Sequence, residues 1–209
     1  MQFTTKSAKV FGNDRPDVQL QAGLVVPGSE DAEWVPKLDP DYHFAGDNLS
    51  VVLTFLKDAW NNGPTEGIQF IGPTGSGKSS LIEQICARLD VPLISLTAHG
   101  RMEVPDLIST MVAANGTTLT VDGPLTMAMR NGYVFVLNEV DLLDPSTTTG
   151  LNDILERGFL VVPNTNELVR AAPGFAFVVT SNTAGGGDEM GVHVGTQVQN
   201  LAFRDRFLK

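Results

Sequence analysis

The segment Gly72-Pro73-Thr74-Gly75-Ser76-Gly77-Lys78-Ser79 concentrates residues whose types and spacing can do chemistry. Glycines let consecutive backbone N–H groups turn into one concavity, and a loop of this kind at the start of a helix gains the partial positive charge of the helix N-terminus. The result is a cradle for phosphate. Lys78, directly behind it, reaches β and γ phosphates; the Ser79 hydroxyl is a ligand for Mg²⁺, and Ser80 extends the polar rim. The apolar run 68–71 upstream and helix-spaced apolar residues downstream provide the strand and helix this geometry requires. Gly-x-x-x-x-Gly-Lys-Ser in that context is far more specific than a lone Gly-x-Gly-x-x-Gly, and the nucleotide it implies is ATP with Mg²⁺.

Hydrolysis at such a loop needs acidic groups at the end of a second buried strand. Tyr133-Val134-Phe135-Val136-Leu137 leads straight into Asn138-Glu139. Glu139 stands where a general base aligns water on the γ phosphate. Asn138 takes the metal-facing place in which a carboxylate is expected. Its amide oxygen can accept from a metal-bound water but brings no charge to offset Mg²⁺. Asn182 follows the apolar run 175–180 through Ser181. An Asn after a strand is by itself a turn former; beside Lys78 and Glu139 it reads as a group that senses the γ phosphate or holds the attacking water.

The elements that must position these residues follow from periodicity. Apolar residues recur at helical spacing over 49–60 and 78–89, and 106–114, 124–130 and 147–157 also read as helices. Runs 68–71, 92–97, 133–137 and 175–180 read as strands, the last two continuous enough to be buried on both faces. This alternation predicts an α/β fold, a three-layer α-β-α sandwich around a mostly parallel sheet. Residues 117–121 break it as a β-hairpin arm, placed near 116–123. Residues 1–45, rich in Pro, Asp and Gly, read as an irregular arm packing on a core that spans 46–209.

Bulk properties narrow the setting. The chain has 209 residues, 42% of them apolar, enough for one substantial core. Its formal charge is −10, from 24 acidic and 14 basic residues, with no basic stripe; nucleic acid is therefore not the expected partner. The single cysteine, Cys86, lies in a helical apolar pattern and reads as a small core hydrophobe. With no membrane-length apolar run and no signal-peptide core near the N-terminus, the expectation is a cytoplasmic protein with no membrane partner.

With those residues in place, the chain resembles the AAA+ ATPases of the MoxR-like branch, and within it the CobS type. The resemblance runs through Asp39-Pro40-Asp41-Tyr42 and from the phosphate loop into Ile82-Glu83-Gln84-Ile85 and Ala87-Arg88-Leu89. It continues in Asn182-Thr183, the glycines around Gly187, and His193-x-Gly195-Thr196-Gln197 through Asn200-Leu201-Ala202 to Asp205-Arg206-Phe207. It implies that Arg206 is an arginine finger completing the site of a neighbouring subunit, with Arg204 a second candidate. It further implies that Asn182 is the first sensor, that 117–121 is the helix-2 insert, and that 100–106 faces a central pore. His193 has no Cys or His at ligand spacing and reads as a loop anchor.

Two departures stand out. Asn138 replaces the family's aspartate, and the chain ends where the family continues into a fifth strand, a helical lid and a second sensor arginine. The expectation is a truncated sheet with the phosphate-loop strand exposed on one side.

The resemblance therefore implies an Mg-ATP-dependent motor or remodelling subunit in a homo-oligomeric ring, a hexamer, acting on a partner of the von Willebrand A domain kind. The alternative is a nucleotide-gated assembly or scaffold module with little hydrolysis, which Asn138 and the missing lid motivate. A small-molecule kinase would need arginines closing over the phosphates from a lid, and the sequence offers none.

Overall fold

Strands covered on both faces must alternate between two cores, and the central strands here do so. In a computed structural model, which describes residues 1–12, 17–44, 48–63, 66–114, 116–183, 203 and 205–208, the elements come in this order. They are β1 (Phe3–Ser7), β2 (Gln19–Gly23), the short α1 (Glu30–Glu33), α2 (Asn48–Asn62), β3 (Gly67–Ile71), α3 (Lys78–Leu89), β4 (Leu93–Thr97) and α4 (Val104–Ile108). The chain goes on through β5 (Ser109–Ala114), β6 (Thr117–Asp122), α5 (Pro124–Asn131), β7 (Val134–Asn138) and α6 (Pro145–Arg157). It closes with β8 (Phe159–Val162), β9 (Glu167–Arg170), β10 (Ala176–Ser181) and β11 (Phe207–Leu208).

Five strands form the central sheet in the order β11-β3-β10-β7-β4, and every pairing is parallel. Val134 and Val136 of β7, with Ala176 and Val178 of β10, face a core made by α2 and α3. Phe135, Leu137, Phe177 and Val179 face the other core, against α4, α5 and α6. The period-two split of each apolar run is the physical basis of the three layers. It is the α/β sandwich expected from the sequence.

Three expectations are corrected. The helix read over 106–114 ends at Ile108, and Ser109–Ala114 instead pairs antiparallel with Thr117–Asp122. Thr110 and Val112 are β-branched, and a strand partner three residues downstream stabilises them better than another helical turn would. The hairpin is thus longer than 117–121.

The second correction concerns the sheet edge. Phe207 and Leu208 pair with Gly67 and Ile68, and the Gly67 N–H donates to the Arg206 carbonyl at 2.9 Å. The start of the phosphate-loop strand is covered on the side expected to be bare. Gly67 permits this approach, since a Cβ there would lie 2.5 Å from the Phe207 ring.

Residues 1–45 contain an ordered ribbon where irregular chain was expected: β1 and β2 pair antiparallel, and Phe3 stacks near Trp60 with ring centroids 5.2 Å apart. Nor does the sequence reading include the β8–β9 ribbon. Gly187, His193, Arg204 and the 195–202 stretch lie outside the described residues.

Candidate functional site

The phosphate loop is stitched to the sheet at its entry, where the Gly72 N–H donates to the Ser181 carbonyl at 3.2 Å. Gly75 and Gly77 then adopt φ of 80° and 82°, conformations in which a Cβ is costly. That turn lets α3 begin at Lys78, so the loop sits on the N-terminus of a twelve-residue helix. Gly72, Pro73, Thr74, Ser76 and Ser80 complete the rim.

Lys78 Nζ donates to the carbonyls of Gly72 at 2.6 Å and Pro73 at 2.9 Å, and to Asn182 Oδ1 at 3.1 Å. The ammonium thereby joins the loop to the residue after β10. Its partial burial lowers the lysine pKa, while the negative charges of Asp141 and then Glu139 act in the opposite sense. A partly desolvated cation at a helix N-terminus is suited to phosphate oxygens.

On the metal side, the Ser79 hydroxyl donates to Asn138 Oδ1 at 2.5 Å, and Thr180 Oγ1 donates to the same oxygen at 3.2 Å. The Asn138 amide nitrogen is engaged elsewhere, donating to Ser95 Oγ at 2.9 Å and the Leu96 carbonyl at 3.4 Å. A carbonyl can only accept, so this contact fixes the amide with its oxygen toward Ser79. Two hard oxygens therefore adjoin a cleft also lined by Thr97, Glu83 and Glu139. Mg²⁺ takes few protein ligands beside nucleotide phosphates and keeps several waters, so this donor set fits it when it is held jointly with a triphosphate. Among the described residues no group of three or more His, Cys, Asp or Glu forms a separate metal site.

Glu139 ends β7 in a left-handed conformation, φ 55° and ψ 42°, at a cost of about 1–2 kcal/mol for a residue with a Cβ. Its N–H is satisfied by Thr180 Oγ1 at 3.1 Å, and the side chain lines the cleft half-buried. Lys78, Ser79, Asn138, Glu139 and Asn182 are thus brought together from the ends of two neighbouring strands and the start of one helix. Arg206 is not among them. Its Nη2 donates to Glu156 Oε2 at 2.7 Å at the end of α6, and among the described residues it does not line the cleft of its own chain.

A second groove shares the loop glycines and is lined by Tyr42, His43, Val51, Phe70 and Leu81. The segment bearing Tyr42 is tied down from α3. Arg88, 9% exposed, donates to the carbonyls of Val10, Asp39 and Tyr42 at 3.1, 3.1 and 3.2 Å, and lies 4.9 Å from the Phe44 ring centroid. Gln84 accepts from the Asp39 N–H at 2.9 Å and donates to the Lys37 carbonyl at 3.0 Å. Sequence reasoning assigned no role to Gln84, Arg88, Ser95, Thr180 or Asp141. For Asp141 the one local signal was a carboxylate among Val140, Leu142 and Leu143.

A glycine-turned loop on a helix N-terminus, with a partly buried Lys78 ammonium and the Glu139 carboxylate after the next strand but one, defines a P-loop nucleotide-binding protein. The AAA domain family, dynein-related subfamily, matches residues 67–207, and the chain belongs to that family. It is an AAA+ protein of the MoxR-like branch. It is 31% identical to the aerobic cobaltochelatase subunit CobS of a Sinorhizobium species over 98% of this chain and 59% of that protein. It is 35% identical to the NorQ protein of Paracoccus denitrificans over 68% of this chain and 51% of NorQ. The chain therefore spans between half and three fifths of these relatives. A solved structure of a putative ATPase from Cytophaga hutchinsonii shares the fold, with a TM-score of 0.58 at 16% identity over 85% of this chain and 46% of that one.

Proposed function

We propose that the chain binds Mg-ATP and hydrolyses it as one subunit of a homo-oligomeric ring, a hexamer, that remodels a partner protein. Lys78 and the loop amides hold the phosphates, Ser79 and Asn138 hold Mg²⁺, Glu139 aligns the water, and Asn182 contacts the γ phosphate. Mg²⁺ held there by Ser79 and Asn138 would supply positive charge that offsets the phosphates. The apolar groove beside Tyr42 suits the base. The observation that carries this reading is the meeting of Lys78, Asn138, Glu139 and Asn182 in one cleft.

Arg206 acts on the neighbouring subunit's nucleotide, a reading supported by its place, among the described residues, outside the cleft of its own loop. CobS carries cobaltochelatase in its name, and a partner with a von Willebrand A domain is the corresponding assignment here. ATP turnover per subunit should rise with protein concentration, and Arg206→Ala should lower it by about 100-fold or more without removing nucleotide binding. A rate that is flat with concentration and survives the substitution rejects the shared site.

A second reading, a nucleotide-gated scaffold with little hydrolysis, rests on Asn138. In that case Asn138→Asp raises turnover about tenfold or more with little change in affinity, because it restores charge beside Mg²⁺. Turnover that does not rise in Asn138→Asp rejects this second reading.

A further inference from the structure

Asp141 is fully buried, at 0% exposure, and has no part in the roles given above. It lies in the short turn Val140–Leu142 that follows β7, two residues after Glu139. Its Oδ2 accepts from the backbone N–H groups of Asn182 at 3.1 Å and Thr183 at 3.2 Å, and from the Thr183 hydroxyl at 3.4 Å. Its Oδ1 is buried and has no partner among the described residues.

A buried carboxylate satisfied, among the described residues, on one oxygen only is a poor device for stability, because desolvation offsets much of what its contacts contribute. What it does achieve is connection. The Leu142 N–H donates to the Glu139 carbonyl at 2.9 Å, so the Asp141 turn moves with Glu139. At the other end Asp141 holds the backbone of Asn182, whose side-chain oxygen meets Lys78 at 3.1 Å. Two segments 41 residues apart, each carrying a group that lines the phosphate-loop cleft, are clamped by one carboxylate.

We infer that Asp141 is a positioning residue for the third phosphate: it makes the Glu139 turn and the Asn182–Thr183 segment one unit, so that Asn182 is held where a γ phosphate, and not a β phosphate, is felt. This rests on the ATP-binding reading above. It assigns Asp141 to discrimination between nucleotide triphosphate and diphosphate.

The test measures equilibrium affinity of the full chain for a non-hydrolysable ATP analogue and for ADP, in the wild type, Asp141→Ala, Asp141→Asn and Thr183→Val. ADP affinity should stay within about twofold throughout, while the preference for the ATP analogue falls about five- to tenfold in Asp141→Ala, the effect of losing one charge-assisted clamp. Asp141→Asn keeps an acceptor for the two amides but not the charge, so its preference should fall about two- to threefold. Thr183→Val removes only the longest of the three contacts and stays near the wild type.

A merely structural role would weaken both nucleotides by one factor, and that result, or an unchanged preference, overturns the inference. If Asp141→Ala does not fold, Asp141→Asn carries the test, and an unaltered preference there overturns it equally. A wild type that binds neither nucleotide rejects the ATP reading itself, whereas one that binds both with an Asp141-independent preference rejects only the role of Asp141.

Discussion

Lys78 is held by three oxygens and partly desolvated, and its pKa lies below the usual 10.5 in the free site. Phosphate oxygens favour the charged form, so binding should raise that pKa again. The sign follows from linkage. Below the depressed pKa both states are protonated and affinity is level; between the depressed and the restored value binding takes up a proton, so affinity falls as pH rises. Nucleotide titrations at increasing alkaline pH should show this decline beginning below 10.5. Lys78→Arg should abolish it, because guanidinium stays charged throughout; a decline that persists in the arginine variant would assign it to another group. Lys78, Ser79 and Glu139 are legible in the sequence because each belongs to a short motif attached to a strand end. The Asn138 amide orientation is not, since it depends on Ser95 and the Leu96 carbonyl of a different strand.

At the scale of elements, α3 does more than present the loop. Its first residue is Lys78 and its eleventh is Arg88, so one rigid helix links the phosphate site to the segment that carries Tyr42. Arg88→Ala would strand the carbonyls of Val10, Asp39 and Tyr42, and a cost of about 2–4 kcal/mol is expected from losing several charge-assisted bonds at a buried site. Denaturant unfolding measures the cost, and hydrogen exchange should show faster opening around 37–44 with the β7 and β10 amides still protected. Arg88→Lys should not rescue it, because one ammonium cannot reproduce contacts spread across the guanidinium fork. Exchange that rises equally in the central strands would show instead that the whole core depends on Arg88. On one face of the β5–β6 hairpin Val112, Leu119 and Val121 are 44–52% exposed, and Met111, 59% exposed, lies on the other face. Such a patch is unusual on a face meant only for water.

At the scale of the whole molecule, the ring reading predicts that solution mass increases when a non-hydrolysable ATP analogue is added. A mass that stays at one subunit, 22.4 kDa, would remove it. Among the described residues no helix is long and apolar enough to cross a membrane. By itself, the sequence determined the phosphate loop, the strand and helix that flank it and the three layers of the sandwich, because each depends on local spacing: glycines at set offsets, apolar runs of strand length, helical periodicity. Only the tertiary structure decided that Ser109–Ala114 is a strand, that Phe207–Leu208 covers the edge of β3, and that Asp141 and Arg88 are buried links. Those outcomes depend on partners distant in sequence, since pairing and desolvation energies belong to the assembled fold and leave no periodic trace in either segment alone.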